Sequence, residues 1–502
     1  MTSGNLYDHF EPVFARFAQR PALISPGGET LRTFAALRDE SARYGNALAA
    51  LGVAAGDRVT VQTEKSVAGI ALFLAVLRAG AVYQPLNPAY TEAEVDYFVG
   101  DAAPTLIVAD PARQRALRQI ADRHGVTAVT SLAADGSGSL AELAQRMDSA
   151  HRTAPRAPSD LAGLLYTSGT TGRSKGAMIT HGNLLSNAEA LVRLWRITAE
   201  DTLVHALPVF HVHGLYVALD TAFLAGATVI WHERFEARQV IDSFSRATLM
   251  MGVPTFYTRL LSDAALTREA CGAMRLFISG SAPLLAETHG AFAARTGHDI
   301  LERYGMTETG MISSNPYDGA RIPGTVGFAL PGVDVRIRGD QPGIIEVRGP
   351  NVFSGYWRNP EKTAEDFTSD GYFITGDVGT LAADGRLAIV GRAKDLIISG
   401  GFNVYPKEVE EAVDGLAGIG ESAVVGVPHP DFGEGVLAVV TAAGALPPER
   451  EMLAALGARL ARFKVPKRII VVETLPRNAM GKVQKSELRR QYADIFRGPI
   501  TS

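Results

Sequence analysis

Residues 164–180 read LLYTSGTTGRSKGAMIT, an apolar run followed by glycine and hydroxyl residues that lead to Lys175. Glycines let backbone N–H groups turn inward as an anion-binding nest, and serine and threonine hydroxyls add donors. The order differs from the P-loop pattern G-x-x-x-x-G-K-[ST], because Lys175 follows a serine and precedes a glycine. The stretch by itself therefore indicates either a phosphate-binding loop of another kind or a flexible surface loop.

The composition is that of a globular protein with more than one domain. The chain has 502 residues, of which 46% are hydrophobic and 20% charged, and its formal net charge is −4. This charge gives no electrostatic reason to expect nucleic acid or an anionic membrane as a partner. The apolar run at 67–77 is much shorter than the roughly 20 residues of a membrane span, so the cytoplasm is the expected location. A single cysteine, Cys271, excludes an intrachain disulfide framework.

The organisation of the chain changes twice. Over the first 390 or so residues, strand patterns such as DRVTVQT (57–63) alternate with helical patterns, which predicts an α/β domain with substantial sheet. From about Val333, short strands predict a small β-rich subdomain that closes this large region. After GRAKD (391–395) a compact α+β tail begins. We therefore predict an N-terminal domain over 1–393 and a C-terminal domain over 394–502, with a short hinge at Lys394.

Six further motifs follow the opening stretch in order. They are PVFHVHG (208–214), SGSAPL (279–284), ERYGMTET (302–309), GYFITGDVG (371–379), GRAKDLIISGGFNVYPKEVE (391–410) and PRNAMGKVQK (476–485). Together with YTSGTTGRSKG they resemble the adenylate-forming enzymes: acyl-CoA synthetases, peptide-synthetase adenylation domains and beetle luciferases. The resemblance covers nearly the whole chain and favours the phosphate-binding interpretation of residues 164–180.

The resemblance implies a reaction and its reagents. Enzymes of this superfamily join a carboxylate to the α-phosphate of ATP, release pyrophosphate, and hand the acyl group to a thiol. ATP, Mg²⁺ and coenzyme A are thus the implied cosubstrates and cofactor. The implied fold is a large adenylation domain of two α/β sheets plus a small β-subdomain, with a small mobile C-terminal domain.

The resemblance also implies which residues do the chemistry. Lys482, Thr307, Glu308 and His211 would be catalytic, with Thr307 at the α-phosphate and Glu308 holding Mg²⁺. The residues that would bind ATP or AMP are Thr167, Ser168, Gly169, Thr170, Thr171, Gly172, Lys175, Ser279, Gly280, Ser281, Glu302, Tyr304, Gly305, Met306, Thr307, Asp377, Arg392 and Lys482. Among these, Asp377 would accept the ribose hydroxyls and Tyr304 would stack on the adenine.

The C-terminal domain would alternate between two tasks. Lys482 would reach the carboxylate and α-phosphate during adenylation, and rotation at Lys394 would then bring the thiolation loop to the site. Gly400, Gly401 and Phe402 belong to that loop, where the glycines permit close approach of a pantetheine thiol.

Two arginines, Arg259 and Arg303, border the implied acyl pocket. An arginine that faced an apolar substrate tail would be an unpaired buried charge, so both indicate a substrate with a second carboxylate. The alternative is that either arginine pairs with a protein acid such as Glu302. His211 would line or gate the same pocket, whereas a metal site formed by His205, His211 and His213 is disfavoured for want of further ligands at a suitable spacing.

The segments MGVPTFYTRLL, RLFISGSAPLL, LERYGMTET and SNPYDG resemble the malonyl-CoA synthetases within that superfamily. The implied substrates are malonate and methylmalonate. Two alternatives remain open: a ligase for another short acid such as acetate or succinate, and a stand-alone adenylation enzyme that loads a carrier protein. Free coenzyme A is the predicted acceptor, with carrier-bound pantetheine as the alternative, and the protein is predicted to be a monomer or a dimer.

Overall fold

The computed structural model describes residues 4–167, 174–400, 402–478 and 481–496. Its strands are, in chain order, β1 (Pro21–Ile24), β2 (Thr30–Thr33), β3 (Arg58–Gln62), β4 (Val82–Pro85), β5 (Leu106–Ala109), β6 (Ala128–Ser131), β7 (Leu161–Thr167), β8 (Lys175–Thr180), β9 (Thr202–His205), β10 (Thr228–Trp231), β11 (Leu249–Gly252), β12 (Leu276–Ser279), β13 (Leu301–Met306), β14 (Gly310–Ser314), β15 (Phe328–Ala329), β16 (Asp334–Arg338), β17 (Gly343–Arg348), β18 (Phe373–Leu381), β19 (Leu387–Arg392), β20 (Ile397–Ser399), β21 (Phe402–Val404), β22 (Ile419–His429), β23 (Gly433–Ala442) and β24 (Arg468–Val472).

The α-helices are α1 (Tyr7–Arg16), α2 (Phe34–Ala50), α3 (Val67–Arg78), α4 (Glu92–Ala102), α5 (Gln114–Arg123), α6 (Ser139–Gln145), α7 (His181–Leu194), α8 (Thr221–Ala225), α9 (Ala237–Ser243), α10 (Pro254–Leu261), α11 (Ala286–Thr296), α12 (Pro360–Glu365), α13 (Pro406–Asp414), α14 (Glu449–Gly457) and α15 (Lys485–Gln491). A π-helical segment, His213–Asp220, precedes α8. The chain forms two compact units, Met1–Val335 with Val347–Phe373, and Arg336–Glu346 with Ile374–Ser502.

The first unit is built on two mainly parallel sheets. One has nine strands in the order β15-β14-β13-β12-β11-β9-β10-β1-β2, and the other has six in the order β6-β5-β3-β4-β7-β8. Helix α3 is apolar on all sides and almost entirely buried, as expected of a helix enclosed within a core. Ligands of open parallel sheets bind at the carboxyl ends of the strands, where the sequence motifs of this unit lie.

The second unit is built on two smaller sheets. Strands β16-β17-β18-β19 form one, and β21-β20-β23-β22 form the other, with β24 added in parallel to β23. The predicted α/β class, with a large N-terminal part of several sheets and a small C-terminal part, is confirmed. Residues 336–346 share a sheet with strands that follow Phe373, and they belong to the second compact unit. The predicted domain bounds, 1–393 and 394–502, stay a prediction.

No helix within the described ranges is both long and apolar enough to cross a lipid bilayer. Cys271 is fully buried in the core of the first unit, and this burial raises the pKa of its thiol to about 11.

Candidate active site

The phosphate loop leaves β7 at Thr167 and returns at Lys175, and these two residues pair across the antiparallel ladder of β7 and β8. Two tyrosines fix its stems from outside. Tyr166 donates a hydrogen bond to Asp101 Oδ2 at 2.5 Å, and the Tyr97 hydroxyl donates to the carbonyl of Ser174 at 2.7 Å. Tyr97 and Asp101 both lie on α4, so one helix anchors both ends. Five predicted phosphate ligands lie outside the described residues: Ser168, Gly169, Thr170, Thr171 and Gly172.

Thr307 and Glu308 lie in the turn between β13 and β14, and α7 holds that turn in place. Asn187 on α7 donates to the carbonyl of Met311 at 2.9 Å and accepts from its N–H at 3.0 Å. Gly310 has a φ of 56°, and a Cβ there would lie 2.8 Å from Asn187 Oδ1, so only glycine fits. Because α7 directly follows β8, this contact fixes the turn relative to β8, which begins at Lys175.

The Glu308 carboxylate is buried beside the loop stem. Its Oε1 accepts hydrogen bonds from Thr167 Oγ1 and from the Tyr356 hydroxyl, both at 3.3 Å. Within the described part of the chain, no group of three or more His, Cys, Asp or Glu side chains is arranged to hold a metal ion. Mg²⁺ commonly takes one or two protein carboxylates and completes its shell with phosphate oxygens and water. One buried carboxylate next to a phosphate loop fits that requirement.

Tyr356 is a site residue that the sequence analysis missed. Residues 354–357 run antiparallel to β8, with hydrogen bonds from Met178 N to Gly355 O and from Trp357 N to Gly176 O. This places the Tyr356 ring 4.8 Å from the Lys175 ammonium, a cation–π contact, while its hydroxyl reaches Glu308. Burial, and then the Glu308 carboxylate, raise the pKa of Tyr356, so the phenol stays protonated and acts as the donor. The sequence feature that could have revealed Tyr356 is the GYW motif at residues 355–357.

The predicted nucleotide-binding residues of the SGSAPL and ERYG motifs lie on neighbouring strands. Ser279 ends β12, and Glu302, Tyr304, Gly305 and Met306 lie on the adjacent β13. Gly305 must be glycine, because a Cβ there would lie 2.1 Å from the carbonyl of Gly310. Tyr304 is 7% exposed, and its stacking role stays a prediction.

Ser281 and Gly280 turn the chain away from β12. Ser281 has a φ of 72°, and its hydroxyl lies 3.2 Å from His213 Nδ1. Gly280 passes directly over Arg303, because a Cβ at Gly280 would lie 2.4 Å from the Arg303 Cζ. Glycine at this position is therefore what gives the guanidinium its space.

Arg303 is a buried cation, and two of its hydrogen-bond donor atoms lack a partner among the described residues. It lies on β13 and is 3% exposed, and its Nε and Nη2 have no hydrogen-bond partner among the described residues. Glu302 precedes it on the same strand, so the two side chains leave opposite faces of the sheet, and Glu302 Oε1 accepts from Gly324 N at 3.4 Å. Burial lowers the pKa of Arg303 to about 9. A buried guanidinium in this state is a strong site for an anion.

The other two residues predicted for the acid substrate are placed differently. Arg259 is exposed on α10, whose buried side is formed by Tyr257 and Leu260. The structure thus does not bury Arg259 with Arg303, and its role stays a prediction. His211 is partly buried, and its Nδ1 accepts from the backbone N–H of His213 at 3.3 Å.

In the second unit, Asp377 and Arg392 face each other on β18 and β19. They form an ion pair with 2.6 Å between Arg392 Nε and Asp377 Oδ1, and Asp377 is 3% exposed. The pair orients the carboxylate that is predicted to accept the ribose hydroxyls. Lys394 follows as an exposed residue of the 3₁₀ turn Ala393–Asp395, and Asp395 binds Arg489 on α15 at 2.5 Å.

Lys482 is exposed on a tight loop between β24 and α15. Its N–H donates to Asn478 Oδ1 at 3.0 Å, and its carbonyl accepts from Asn478 N at 2.9 Å. Two ion pairs fix the ends of this loop: Arg477 with Glu421, and Lys485 with Glu410 at 2.6 Å. The contacts with Asn478 thus hold the backbone of Lys482, while its side chain is exposed.

The thiolation loop exposes an aromatic side chain. Phe402 is 56% exposed and stacks on Phe463 at 4.7 Å between ring centroids. Gly400 is exposed and has a φ of 60°, a conformation that favours glycine, whereas Gly401 lies outside the described residues.

Comparison with known proteins agrees with this geometry. Residues 10–357 match the model of the AMP-binding enzyme family, and residues 408–482 match its C-terminal domain. The chain is 36% identical to a feruloyl-CoA synthase of Amycolatopsis sp, over 95% of this chain and 97% of that protein. It is also 36% identical to the mitochondrial malonate–CoA ligase of Mus musculus, over 96% and 90% respectively. Among solved structures, ATP-bound MatB from Rhodopseudomonas palustris superposes with a TM-score of 0.95 at 51% identity, covering 99% of this chain and all of that one.

These matches define the class of protein, an enzyme that activates a carboxylic acid with ATP. The chain belongs to the AMP-binding enzyme family and is an AMP-forming acyl-CoA ligase, with ATP and coenzyme A as its substrates beside the acid.

Proposed function

We propose that this ligase is a malonyl-CoA synthetase. It converts ATP, malonate and coenzyme A into malonyl-CoA, AMP and pyrophosphate through a malonyl-AMP intermediate, and it also accepts methylmalonate. Malonate–CoA ligases among the relatives support the proposal. A feruloyl-CoA synthase is equally similar, however, so sequence identity alone does not determine which acid is the substrate. The choice therefore depends on the chemistry of the acyl site.

The observation that carries the proposal is the buried Arg303 with unpartnered Nε and Nη2 among the residues that the structure describes. A guanidinium can hold a carboxylate through two parallel hydrogen bonds, and such a pair is favourable where water is excluded. An apolar acid such as hexanoate would leave the charge uncompensated. A short acid with a second carboxylate supplies the missing partner, and malonate is a very short dicarboxylate that still leaves one carboxyl group to react.

In the first step, a malonate carboxylate oxygen attacks the α-phosphorus of ATP, and the bond to the β-phosphate breaks with release of pyrophosphate. The carboxylate is already a nucleophile, so the residues act by holding charge and geometry. Thr167 and Lys175 bind the outer phosphates, Thr307 the α-phosphate, and Asp377 the ribose. Mg²⁺ bound at Glu308 would neutralise part of the triphosphate charge. Lys482 stabilises the negative charge that builds up between carboxylate and phosphate.

In the second step, the thiol of coenzyme A attacks the acyl carbon and AMP leaves. We propose that rotation at Lys394 exchanges Lys482 for the thiolation loop of Gly400 and Phe402. Lys394→Pro restricts that rotation, so we expect malonyl-AMP formation to persist while malonyl-CoA formation falls about 100-fold or more. The two half-reactions are measured separately, as pyrophosphate release without coenzyme A and as thioester formed from supplied malonyl-AMP. Unimpaired thioester formation would contradict the hinge role.

The test of the whole proposal is ATP- and coenzyme A-dependent AMP release with a panel of acids. Malonate, methylmalonate, succinate and sulfoacetate carry a second anionic group, whereas acetate, hexanoate and ferulate do not. We expect malonate to give the highest kcat/KM, with methylmalonate next, and Arg303→Met to abolish this preference. If ferulate or hexanoate is the best substrate and Arg303→Met is harmless, the enzyme is a ligase for a monocarboxylic acid. Transfer to a carrier-protein phosphopantetheine but not to coenzyme A would instead support the carrier-loading alternative.

A further inference from the structure

A lysine outside the predicted site lies at the carboxyl ends of two strands of the nine-stranded sheet. Lys65 directly precedes Ser66, the N-cap of α3. Its Nζ lies 3.0 Å from His205 Nδ1, 3.0 Å from the His205 carbonyl and 2.5 Å from the His232 carbonyl. It also lies 4.3 Å from the centroid of the Trp231 ring, which stacks on the His205 ring. His205 and Trp231 are the last residues of β9 and β10.

These contacts assign the proton on His205. An ammonium has three donors and no acceptor, and Lys65 has three acceptors around it, so His205 Nδ1 must be the bare nitrogen. The proton then lies on Nε2, which is 2.8 Å from the Gly214 carbonyl and donates to it. In the opposite tautomer, with the proton on Nδ1, the lone pair of Nε2 would point at the oxygen of the Gly214 carbonyl, and the two acceptors would repel each other. Burial lowers the pKa of Lys65, but the three acceptors and the Trp231 face favour its charged form; burial and the ammonium lower the pKa of His205, which stays neutral.

The Gly214 carbonyl is the point at which this arrangement meets the acyl site. A Cβ at Gly214 would lie 2.0 Å from the carbonyl of Pro208, so residues 208–214 are folded tightly back on themselves. That segment carries His211, and its His213 lies 3.2 Å from the Ser281 hydroxyl. Ser281 in turn adjoins Gly280, over which the Arg303 guanidinium lies. An unbroken series of contacts therefore runs from Lys65 to the buried arginine.

We propose that Lys65 and His205 form a positioning pair that fixes residues 208–214, and thereby His211 and His213, for binding of the acid substrate. Neither residue touches the reacting atoms. The proposal rests on the proposed function, because it takes the surroundings of Arg303 to be the acid site. It concerns recognition of the acid and leaves the binding of ATP unchanged.

The first test measures the tautomer of His205 in the wild-type protein, so its result does not depend on whether a variant folds. Nitrogen NMR of protein labelled with ¹⁵N-histidine reports which ring nitrogen bears the proton, and the signal of His205 among the 11 histidines is assigned by its disappearance in His205→Gln. We expect a neutral ring with the proton on Nε2. A proton on Nδ1, or a charged ring at neutral pH, would overturn the proposal.

The second test separates positioning from general stability. Lys65→Met and His205→Leu should each raise KM for malonate about 10- to 100-fold and change the calorimetric Kd of ATP by less than about twofold. His205→Gln can still accept from Lys65 and donate to Gly214, so it should restore most of the activity. Arg78→Met is the matched control, since Arg78 is a buried cation at the other end of α3 that binds Tyr7, Ser41 and the His151 carbonyl. It should lower the melting temperature without changing KM for malonate.

Equal effects of Lys65→Met on malonate and ATP, matched by Arg78→Met, would show a merely structural role and refute the proposal. Failure of the proposed function gives a different result. If another acid is the substrate, the panel of acids reveals it, and the same variants are then tested with that acid, while the tautomer of His205 is independent of the choice.

Discussion

Arg303 should make this enzyme less stable in the absence of its acid substrate. A fall of the Arg303 pKa from its ordinary value to about 9 means that the folded state disfavours the protonated form. At about 1.4 kcal/mol for each tenfold change in proton affinity, the cost is on the order of 5 kcal/mol. The cost is complete below pH 9 and declines as the pH rises above 9, because there the unfolded chain binds more protons than the folded one.

Arg303→Met removes the charge and keeps a long side chain. We therefore expect the variant without ligand to be more stable than the wild type at about pH 7.5 by about 1–4 kcal/mol, as found when other buried ions are replaced by apolar groups. Its kcat/KM for malonate should fall about 100- to 1,000-fold, because the distal carboxylate loses its partner. Malonate should raise the melting temperature of the wild type and leave that of the variant unchanged.

Denaturant unfolding and scanning calorimetry, with and without malonate, measure both effects. Arg259→Met is the control, because it makes the same change at an exposed arginine on α10 and should alter the free energy of unfolding by less than about 0.5 kcal/mol. A variant Arg303→Met that is less stable than the wild type and still selects malonate would refute the reasoning, since it would mean that Arg303 is compensated within the protein.

Three further predictions concern single contacts. Gly280→Ala places a Cβ 2.4 Å from the Arg303 Cζ and should raise KM for malonate about tenfold or more; steady-state kinetics with unchanged malonate saturation would contradict this. Lys482→Ala should lower malonyl-AMP formation about 100- to 1,000-fold and leave thioester formation from supplied malonyl-AMP largely intact, whereas equal losses would exclude a role confined to adenylation. Tyr356→Phe removes the donor to Glu308 but keeps the ring beside Lys175, so calorimetry should show a weaker Mg²⁺-dependent part of ATP binding, by about three- to tenfold, with metal-free ATP unaffected. Tyr356→Leu should weaken both; a Tyr356→Phe enzyme with normal metal dependence would contradict the orienting role.

The sequence predicted local placement best where the candidate site residues lie on one contiguous motif. YTSGTTGRSKG predicts a loop between two chain segments, and the structure pairs Thr167 with Lys175 at its stems. The turn of Thr307 and Glu308 was likewise implied by a motif in which hydroxyl and carboxylate are neighbours. In such cases the functional groups are brought together by the local chain, so their order in the sequence nearly determines their arrangement.

Contacts between distant segments could not be predicted in this way. Tyr356 contacts Glu308, which lies 48 positions away in the sequence, and Lys65 contacts His205, which lies 140 positions away. The residues around Tyr356 and Lys65 in the sequence do not indicate these partners. The exposure of Arg259 was also not evident from the sequence. The helical phase that buries Tyr257 and Leu260 leaves it exposed, and its role in the acyl pocket, which the resemblance implies, stays a prediction. Strand patterns likewise do not reveal which strands pair, so the sequence could not show that residues 336–346 share a sheet with strands after Phe373.

The solitary thiol has a practical consequence for watching this enzyme work. Cys271 is buried, and its raised pKa of about 11 leaves almost no thiolate at neutral pH. Maleimide dyes should therefore not react with Cys271 in the folded protein, and should react only with cysteines introduced at exposed sites, one in each compact unit. A donor and acceptor pair attached in that way would report the distance between the units in single molecules during turnover, without first removing the natural cysteine.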